Sequence, residues 1–282
     1  MKKGLVLEGG AMRGMFTAGV IDVMLENNIE PDGIVGVSAG AAFGCNYKSK
    51  QIGRTIRYNV KYARDKRYCS LYSLITTGDL YGKDFCYYQI PNKLDPFDNE
   101  TFNNNPMEFY VVATDVMTGK PVYKKIEKCD DKYLDWFRAS ASMPLVSTIV
   151  EIDGLKLLDG GIADSIPLKF MEESGYDKNI VILTQTSDYK KKKNRLLPLM
   201  KLLMKKYPGV VKAMSNRHNE YNKMVDYVRK KEEKGEILVI RPKEKLPIGR
   251  IEKDGEKLKK VYELGRKAAL EKLDEIKKFY EI

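Results

Sequence analysis

Residues 4–45 read GLVLEGGAMRGMFTAGVIDVMLENNIEPDGIVGVSAGAAFGC. Residues 4–7 and 33–37 are short apolar runs, which are typical of strands buried on both faces. Between them, apolar residues recur at helical spacing over residues 13–27, and a run of small residues after Ser38 favours a second helix. A strand–helix–strand–helix order implies a parallel sheet, so the segment predicts an α/β fold.

The second strand is followed by a G-x-S-x-G pattern, GVSAG at residues 36–40. A nucleophile elbow requires this placement, because a tight turn exposes the serine oxygen while glycines relieve crowding around it. The next helix also directs its N-terminal dipole toward developing negative charge. A glycine-lined turn in which Ser38 caps the helix explains the same letters equally well. The pattern alone leaves both interpretations open.

A second glycine-rich loop, EGGAMRG at residues 8–14, also joins a strand to a helix. Backbone N–H groups of such a loop point outward and suit an anion. A Walker phosphate loop is excluded because no Gly-Lys-Ser/Thr follows, and Ala11 makes a dinucleotide fingerprint a poor match. The remaining interpretation is an oxyanion hole. Arg13 then either braces the loop or binds an anionic group of the substrate.

The choice of general base depends on histidine, and the chain has only His218. The order Ser38, Asp159, His218 matches an α/β-hydrolase triad. Those enzymes place several strands before the nucleophile, whereas only two precede Ser38, so we expect His218 to be a surface residue. Asp159 ends a predicted strand, and burial would raise its pKa from about 3.9 toward working pH. Taken alone, DGG at residues 159–161 is more simply an ordinary β-turn.

In this order, the three elements resemble the patatin-like phospholipase family. Its signature is a glycine-rich loop ahead of Arg-Gly, a G-x-S-x-G elbow and a later Asp-Gly-Gly or Asp-Gly-Ala. The matching segments are GGAMRG at 9–14, GVSAG at 36–40 and DGG at 159–161, together with ASASMP at 139–144 and DSIP at 164–167. The resemblance covers residues 4–185, about two thirds of the chain.

The resemblance implies a three-layer α/β/α fold with a mostly parallel central sheet, and a catalytic dyad in which Asp159 activates Ser38. It implies an oxyanion hole formed by backbone amides of Gly9, Gly10 and Ala11. The family has glycine where this chain has Ala11, and we expect the change to matter little because a backbone donor does not need glycine. The implied reaction is calcium-independent lipid ester hydrolysis with no metal and no cofactor. Supporting or substrate-binding roles are expected for Arg13, Gly14, Gly36, Gly40, Gly160 and Gly161.

The rest of the chain predicts a single α/β domain. Residues 1–190 form the catalytic core, and residues 191–282 form a mainly helical region of the same domain with a strand near 237–241. Other predicted elements are strands at 109–114, 122–126, 146–151, 155–158 and 179–184, and helices at 133–142 and 255–280. Residues 196–207 combine leucines with lysines, which fits either a helix on an anionic membrane or, as we favour, a helix packed on the core with lysines at its rim.

Composition narrows the class of protein. The 282 residues are 43% hydrophobic, which suits a globular protein, and a net charge of +11 favours acidic partners. We expect the lysine-rich runs, such as residues 190–193, to be solvated helix faces. No zinc-finger spacing or helix-turn-helix signal supports nucleic-acid binding. A short apolar start and four cysteines without a C-x-x-C pair predict a cytoplasmic protein with reduced thiols.

The sequence thus predicts a serine acyl hydrolase that cleaves phospholipid or lysophospholipid esters through an acyl-enzyme. Its expected partners are the lipid substrate and, in the membrane interpretation, an anionic membrane surface. The alternatives are a carboxylesterase or thioesterase acting on soluble acyl substrates, and a basic nucleic-acid-binding protein. A catalytically silent scaffold would be expected to lose Ser38 or Asp159, and the chain keeps both.

Overall fold

The computed structural model describes residues 1–129 and 132–282, and its centre is one mixed β-sheet. The strands are β1 Lys3–Leu7, β2 Gly33–Val37, β3 Glu108–Asp115, β4 Pro121–Lys125, β5 Val150–Ile152, β6 Leu155–Asp159, β7 Lys178–Ile182 and β8 Ile237–Ile240. They are ordered β5-β6-β3-β2-β1-β7-β8, with β4 paired to β3. Strands β3, β2, β1, β7 and β8 run parallel, whereas β4, β5 and β6 join by antiparallel pairing.

Helices surround this sheet. They are α1 Gly14–Glu26, α2 Ala39–Lys48, α3 Arg54–Tyr62, α4 Leu71–Thr77, α5 Asn99–Asn104, α6 Tyr133–Ala141, α7 Leu168–Glu173, α8 Leu197–Leu203, α9 Pro208–Glu233, α10 Gly255–Glu271 and α11 Leu273–Tyr280. A π-helix spans Phe85–Leu94, and 3-10 helices span Ala11–Arg13 and Gly160–Ile162. In the described part of the chain, no helix has both the length and the apolarity needed to cross a membrane.

Two element predictions need correction. The helix predicted over residues 255–280 is interrupted at Lys272, and α11 then packs on the sheet, where the Tyr280 hydroxyl donates a 2.7 Å hydrogen bond to the Gly4 carbonyl. The strand predicted from residue 146 begins only at Val150. The reason is that the Val146 carbonyl accepts from the Leu80 N–H and is held away from the sheet.

The sheet carries an apolar core on each face, which makes three layers. Successive side chains of a strand point to opposite faces. Leu5 and Leu7 of β1 therefore join a core with residues of α1, α2, α6 and α10, while Val6 joins a second core with residues of α7 and α9. The predicted α/β class, with a largely parallel sheet and a helical C-terminal region, is confirmed.

The C-terminal region packs directly on the core. Strand β8 extends the sheet beside β7. Helix α10 lies so close to α1 that a side chain at Gly19 would overlap the Tyr262 carbonyl, and one at Gly265 would overlap the Phe16 carbonyl. Such backbone contact supports our proposal that residues 191–282 belong to the same domain as the core.

Strand β3 aligns the ends of two other strands. Val37, the last residue of β2, pairs with Val112, and Asp159, the last residue of β6, pairs with Ala113. Ala113 also pairs with β4, so β4 lies on one edge of β3 and β6 lies on the other. Strand β2 pairs with the first part of that other edge and β6 pairs with the part that follows. The register therefore brings Ser38, which follows β2, next to the end of β6.

Candidate active site

Ser38 lies on a strained turn between β2 and α2. Its φ of 56° and ψ of −120° are values that a residue with a side chain rarely adopts. It occupies the N-cap position of α2, but among the described residues its side chain makes no capping hydrogen bond. The capping interpretation is therefore excluded, and the hydroxyl is left available for another partner.

The two glycines that flank Ser38 are required by close packing. A Cβ at Gly36 would lie 2.5 Å from the Cα of Ala41, and a Cβ at Gly40 would overlap the Leu7 carbonyl oxygen. Backbone atoms cannot move aside as a flexible side chain can, so larger residues at these positions would displace the turn. This geometry is that of a nucleophile elbow.

The loop after β1 runs beside this turn. A Cβ at Gly9 would lie 3.1 Å from the Cβ of Ser38, and Gly10 begins the short 3-10 helix without a side-chain cap among the described residues. The first N–H groups of a helix have no intrahelical acceptor, so they suit an oxyanion. Ala11 has a φ of 49°, in the left-handed region that favours glycine. Alanine at this position therefore costs backbone strain, and its N–H as an oxyanion donor stays a prediction.

Arg13 extends from this loop into a cavity beside Ser38. Its guanidinium lies 3.2 Å from the terminal carboxamide of Gln185. Burial lowers the pKa of Arg13, and the negative charge of Glu8 partly offsets that effect. The side chain thus both braces the loop and lines the cavity. Gly14, which follows, lies against the Phe43 ring.

Asp159 is buried beside Ser38, with 7% of its surface exposed. One carboxylate oxygen accepts a 2.7 Å hydrogen bond from the Gly161 N–H. Burial raises the pKa of the Asp159 carboxyl, and the charge of Arg217 and the neighbouring Ser38 side chain only partly offset the rise. The direction is the one that a general base near neutral pH requires.

The two glycines after Asp159 let the turn approach the sheet. A side chain at Gly160 would overlap the Val112 carbonyl. A Cβ at Gly161 would lie 3.1 Å from the Asp159 carboxylate and 3.2 Å from the Arg217 guanidinium. The Arg217 side chain, on α9, donates a hydrogen bond to the Gly161 carbonyl. This turn is therefore held by contacts with the sheet on one side and with α9 on the other.

The end of α6 holds both Ser38 and Asp159. The Ser140 hydroxyl accepts a 2.8 Å hydrogen bond from the Ser38 N–H and donates a 2.6 Å bond to the Val112 carbonyl. Two residues later, the Ser142 carbonyl accepts a 2.8 Å bond from the Asp159 N–H. No role was predicted for this helix end, although its run of small residues was a signal of close backbone approach.

His218 does not belong to this arrangement. It lies on α9, is half-buried rather than on the surface as predicted, and its Nδ1 has no hydrogen-bond partner among the described residues. It lines neither of the two cavities that meet at Ser38. The geometry therefore gives no support to a Ser-His-Asp triad.

The first of the two cavities, here called the apolar cavity, has a volume of about 120 Å³. It opens at Ser38 and Ala11 and runs between α2, α6 and the π-helix. Its wall is mainly aliphatic and aromatic, including Ala42, Phe43, Tyr58, Ile90, Phe97 and Phe137. A narrow apolar space that begins at a serine on such a turn suits an acyl chain.

The second, here called the cationic cavity, has a volume of about 300 Å³ and also opens at Ser38. The charged residues in its wall are Glu8, Arg13, Asp159, Lys191, Arg217 and Arg250. Lys191 belongs to a lysine-rich run that we expected to be solvated, and that expectation is wrong for this residue. Burial, with the nearby arginine charges, lowers its pKa to about 7. No local pattern in the sequence marks this position, because residues distant in the chain bury it.

Helix α8 lies beside the mouth of the cationic cavity and has two different faces. Leu197, Met200 and Met204 are buried, as the favoured packing interpretation predicts. Other leucines point to solvent, with 45–71% exposure, namely Leu196, Leu199, Leu202 and Leu203. The packing interpretation is therefore right for one face and wrong for the other.

No cluster of three or more histidine, cysteine, aspartate or glutamate side chains that could hold a metal ion occurs in residues 1–129 and 132–282. Cys45 and Cys86 line the apolar cavity, where burial raises the pKa of both thiols. A thiol held in its neutral form is a poor nucleophile, so neither cysteine competes with Ser38 for that role.

Comparisons with known proteins agree with this geometry. Residues 207–281 match a domain of unknown function (DUF6363). An uncharacterized protein of Escherichia coli, YjjU, is 30% identical over 200 residues, which cover 65% of this chain and 52% of YjjU. The lysophospholipase nte1 of Aspergillus fumigatus is 28% identical over 62% of this chain, but over only 11% of its own length. This chain thus spans about half or less of the length of these relatives.

One solved structure, that of VipD from Legionella pneumophila, matches over 97% of this chain and 67% of its own, with a TM-score of 0.44 and 12% identity. The family itself is assigned by sequence, because residues 5–171, more than half of the 282, match the model of the patatin-like phospholipases. The resemblance drawn from the three motifs is thereby confirmed. The chain belongs to the patatin-like phospholipase family, a family of lipid hydrolases.

Proposed function

We propose that the protein is a serine acyl hydrolase for lipid carboxylic esters, with Ser38 as nucleophile and Asp159 as general base. The observation that carries the proposal is the proximity of Ser38, on its strained turn, to the buried Asp159, whose carboxyl pKa the neighbouring Ser38 side chain lowers against the effect of burial. The glycine-rich loop runs beside the same turn, and its amides are the donors that we propose for the oxyanion. A nucleophile, a base and N–H donors around one point are what acyl transfer needs.

In the first step, the Asp159 carboxylate accepts the Ser38 proton while the serine Oγ attacks the ester carbonyl carbon. The carbonyl oxygen becomes an oxyanion, which the N–H groups of Gly10 and Ala11 stabilise. Collapse of this intermediate breaks the bond to the alcohol oxygen, and that oxygen takes the proton from Asp159. Water then attacks the acyl-Ser38 ester, with Asp159 again as base, and releases the fatty acid.

A lipid substrate is supported by the family and by the two cavities. The apolar cavity opens at Ser38, so an acyl chain can lie in it with its carbonyl beside the serine. The alcohol part of the ester then extends into the cationic cavity. A lysophospholipase that matches 62% of this chain supports a lipid ester as the substrate.

The dyad is tested by ester hydrolysis with purified variants. Ser38→Ala and Asp159→Asn should each lower kcat by about a thousandfold or more, since both remove a group that acts on the reacting atoms. A matched control is Asp164→Asn, because desolvation also raises the pKa of Asp164, which accepts a 2.8 Å hydrogen bond from the Tyr123 hydroxyl and lies away from Ser38. The control and His218→Ala should retain activity. Activity that survives in Asp159→Asn contradicts the dyad.

We further propose that the exposed leucines of α8 contact an anionic membrane surface. Lys201, Lys205 and Lys206 are exposed on or next to this helix, so apolar and cationic groups lie together, as in helices that bind membrane surfaces. The position is suitable, because Leu196 and Met200 also line the cationic cavity. A lipid leaving the membrane would enter the site there.

Vesicle sedimentation tests this contact. The protein should sediment with vesicles of phosphatidylcholine and phosphatidylglycerol, and less with phosphatidylcholine alone. Leu202→Ser combined with Leu203→Ser should weaken binding, whereas Leu270→Ser, at a leucine of α10 that is 54% exposed, should not. Equal and negligible binding to both vesicles contradicts the membrane proposal without affecting the dyad.

A further inference from the structure

The cationic cavity has an excess of positive charge. Of the described residues in its wall, four are cationic, namely Arg13, Lys191, Arg217 and Arg250, and two are acidic. No ion pair joins any of these four to a carboxylate in the part of the chain that the structure describes. Unpaired cations in a partly enclosed space raise the local concentration of anions.

Both acidic residues of this wall have other partners. The Glu8 carboxylate accepts hydrogen bonds of 2.6 Å from the Thr184 N–H and from the Tyr221 hydroxyl. Asp159 faces Ser38, as described above. The charges of these carboxylates reach Arg13, Lys191 and Arg217, but neither carboxylate forms an ion pair with a cation of the wall among the described residues. Two acidic groups against four cations leave a surplus of positive charge in the wall.

The cations repel one another where they are least solvated. Burial lowers the pKa of Lys191 most, and the charges of Arg217, Arg250 and Arg13 lower it further against the opposing charge of Glu8. Its ammonium lies 4.1 Å from the centre of the Tyr221 ring, which compensates only part of this cost. A bound anion would remove the repulsion, because it favours the charged form of every cation around it.

The cavity also has a defined place relative to the reaction. It begins at Ser38, opposite the apolar cavity, so it receives the alcohol portion of an ester whose acyl chain lies in that cavity. In a glycerophospholipid the alcohol portion carries a phosphate. Guanidinium groups bind phosphate oxygens in pairs and lysine binds them as a point charge, so this set of side chains suits that group.

We propose that the cationic cavity binds the headgroup phosphate of the substrate and selects lipids whose headgroup is anionic over those that carry an ammonium group. The inference rests on the proposed ester hydrolysis at Ser38 and adds a substrate class to it. Three of the four cations, Lys191, Arg217 and Arg250, lie outside the 5–171 segment that matches the patatin-like model. The C-terminal region of the chain thereby supplies headgroup recognition to the catalytic core.

The test compares substrates with one acyl chain and different leaving groups. These are oleoyl lysophosphatidylglycerol, oleoyl lysophosphatidylcholine and the neutral p-nitrophenyl oleate. Wild-type protein should prefer the glycerol lipid to the choline lipid by about tenfold or more in kcat/KM, which is what one charge-assisted hydrogen bond supplies. Lys191→Gln and Arg250→Gln should each lower this ratio mainly by raising KM for the glycerol lipid.

Arg229→Gln is the matched control, because it removes one charge from the same helix as Arg217 at an exposed site where Arg229 pairs with Asp226. It should leave the ratio unchanged. A wild-type ratio near one, or an equal loss on all three substrates in Lys191→Gln, overturns the headgroup proposal while hydrolysis at Ser38 stands. Inorganic phosphate that competes as strongly as the lysolipid overturns it as well, since the cavity would then bind the free anion.

A binding measurement keeps the two proposals separable. If no ester is hydrolysed, calorimetry with lysophosphatidylglycerol below its micelle concentration still reports on the cavity. Binding to the wild type that is about tenfold weaker in Lys191→Gln, and unchanged in Arg229→Gln, supports headgroup recognition even though the proposed hydrolase activity fails. Equal binding to all three proteins overturns the headgroup proposal independently.

Discussion

The apolar and cationic cavities share Ser38, Ala11 and Met143 but are built from different parts of the chain. The apolar cavity is enclosed by α2, α6 and the π-helix, all before β5. The cationic cavity combines the catalytic loops with Lys191, Arg217 and Arg250 from the C-terminal region. The comparison teaches that two cavities meeting at one serine can differ in origin and in chemistry. In our proposal the apolar cavity selects the length of the acyl chain and the cationic cavity selects the charge of the headgroup.

Among changes that separate the two cavities, the largest effect is expected from filling the apolar cavity. Ala42 lies on α2 in the wall of this cavity, so Ala42→Phe should fill the space that a long acyl chain needs. We expect kcat/KM for a p-nitrophenyl ester with a long chain to fall on the order of a hundredfold, as for other steric discrimination in apolar pockets. The butyrate ester, which needs little of the cavity, should lose much less.

Ala42→Ser is the control for this substitution, because it keeps the volume small at the same place. It should behave nearly as wild type on both esters. If Ala42→Phe lowers the rates on long and short esters equally, the variant has damaged the elbow and the acyl-chain assignment of this cavity is wrong.

A smaller effect is expected when a change of pH alters the charge of the cationic cavity. The pKa of Lys191 is about 7, so the side chain is charged below that pH and neutral above it. The arginines that face it, Arg13, Arg217 and Arg250, stay charged throughout. The preference for an anionic lysolipid over a neutral ester should therefore fall several-fold as pH rises from about 6 to about 8.5.

The same pH series on Lys191→Gln separates this effect from the dyad. In that variant the preference should be low and flat with pH. Asp159 acts on both substrates alike, and because its pKa is raised its contribution is lost as pH falls, in the opposite direction. A wild-type preference that does not change between these pH values contradicts the role of Lys191.

The smallest effect is expected from Ser140→Ala, which should act equally on substrates that use the apolar cavity and on those that use the cationic cavity. Ser140→Ala removes the acceptor of the Ser38 N–H and the donor to the Val112 carbonyl. Because these bonds position the nucleophile, we expect kcat to fall about threefold to tenfold on every substrate, with little change in preference. Ser142→Ala is the control, since its hydroxyl bonds the Arg138 carbonyl and its own carbonyl, which holds Asp159, is kept. Selective loss of one substrate class in Ser140→Ala contradicts a positioning role.

The catalytic core was largely predictable from the sequence because its signals are local. The pattern of residues 4–45 predicts β1, α1, β2 and α2 correctly, and the three motifs lie at strand ends. The pairing of Ser38 with Asp159 was predicted from the single histidine, from the carboxylate at a strand end and from the family resemblance. Its physical cause is the register on Val112 and Ala113, which no local pattern contains.

Neither cavity could be predicted from the sequence, for a related reason. The π-helix at Phe85–Leu94, which gives Ile90 to the apolar cavity, has no simple periodicity and contains Pro91. In the sequence, Lys191 is one lysine of a run that is predicted to be solvated. Only the folded chain places it near Arg217 and the Tyr221 ring. Long-range packing, rather than local propensity, determines these side chains.

The central claim is that Ser38 is activated by Asp159 without histidine. Labelling by a fluorophosphonate probe, with the modified peptide identified by mass spectrometry, tests it most directly. We predict that the wild type and His218→Ala are labelled at Ser38, that Asp159→Asn reacts far more slowly, and that Ser38→Ala is not labelled. Labelling at another residue, or undiminished labelling of Ser38 in Asp159→Asn, contradicts the account.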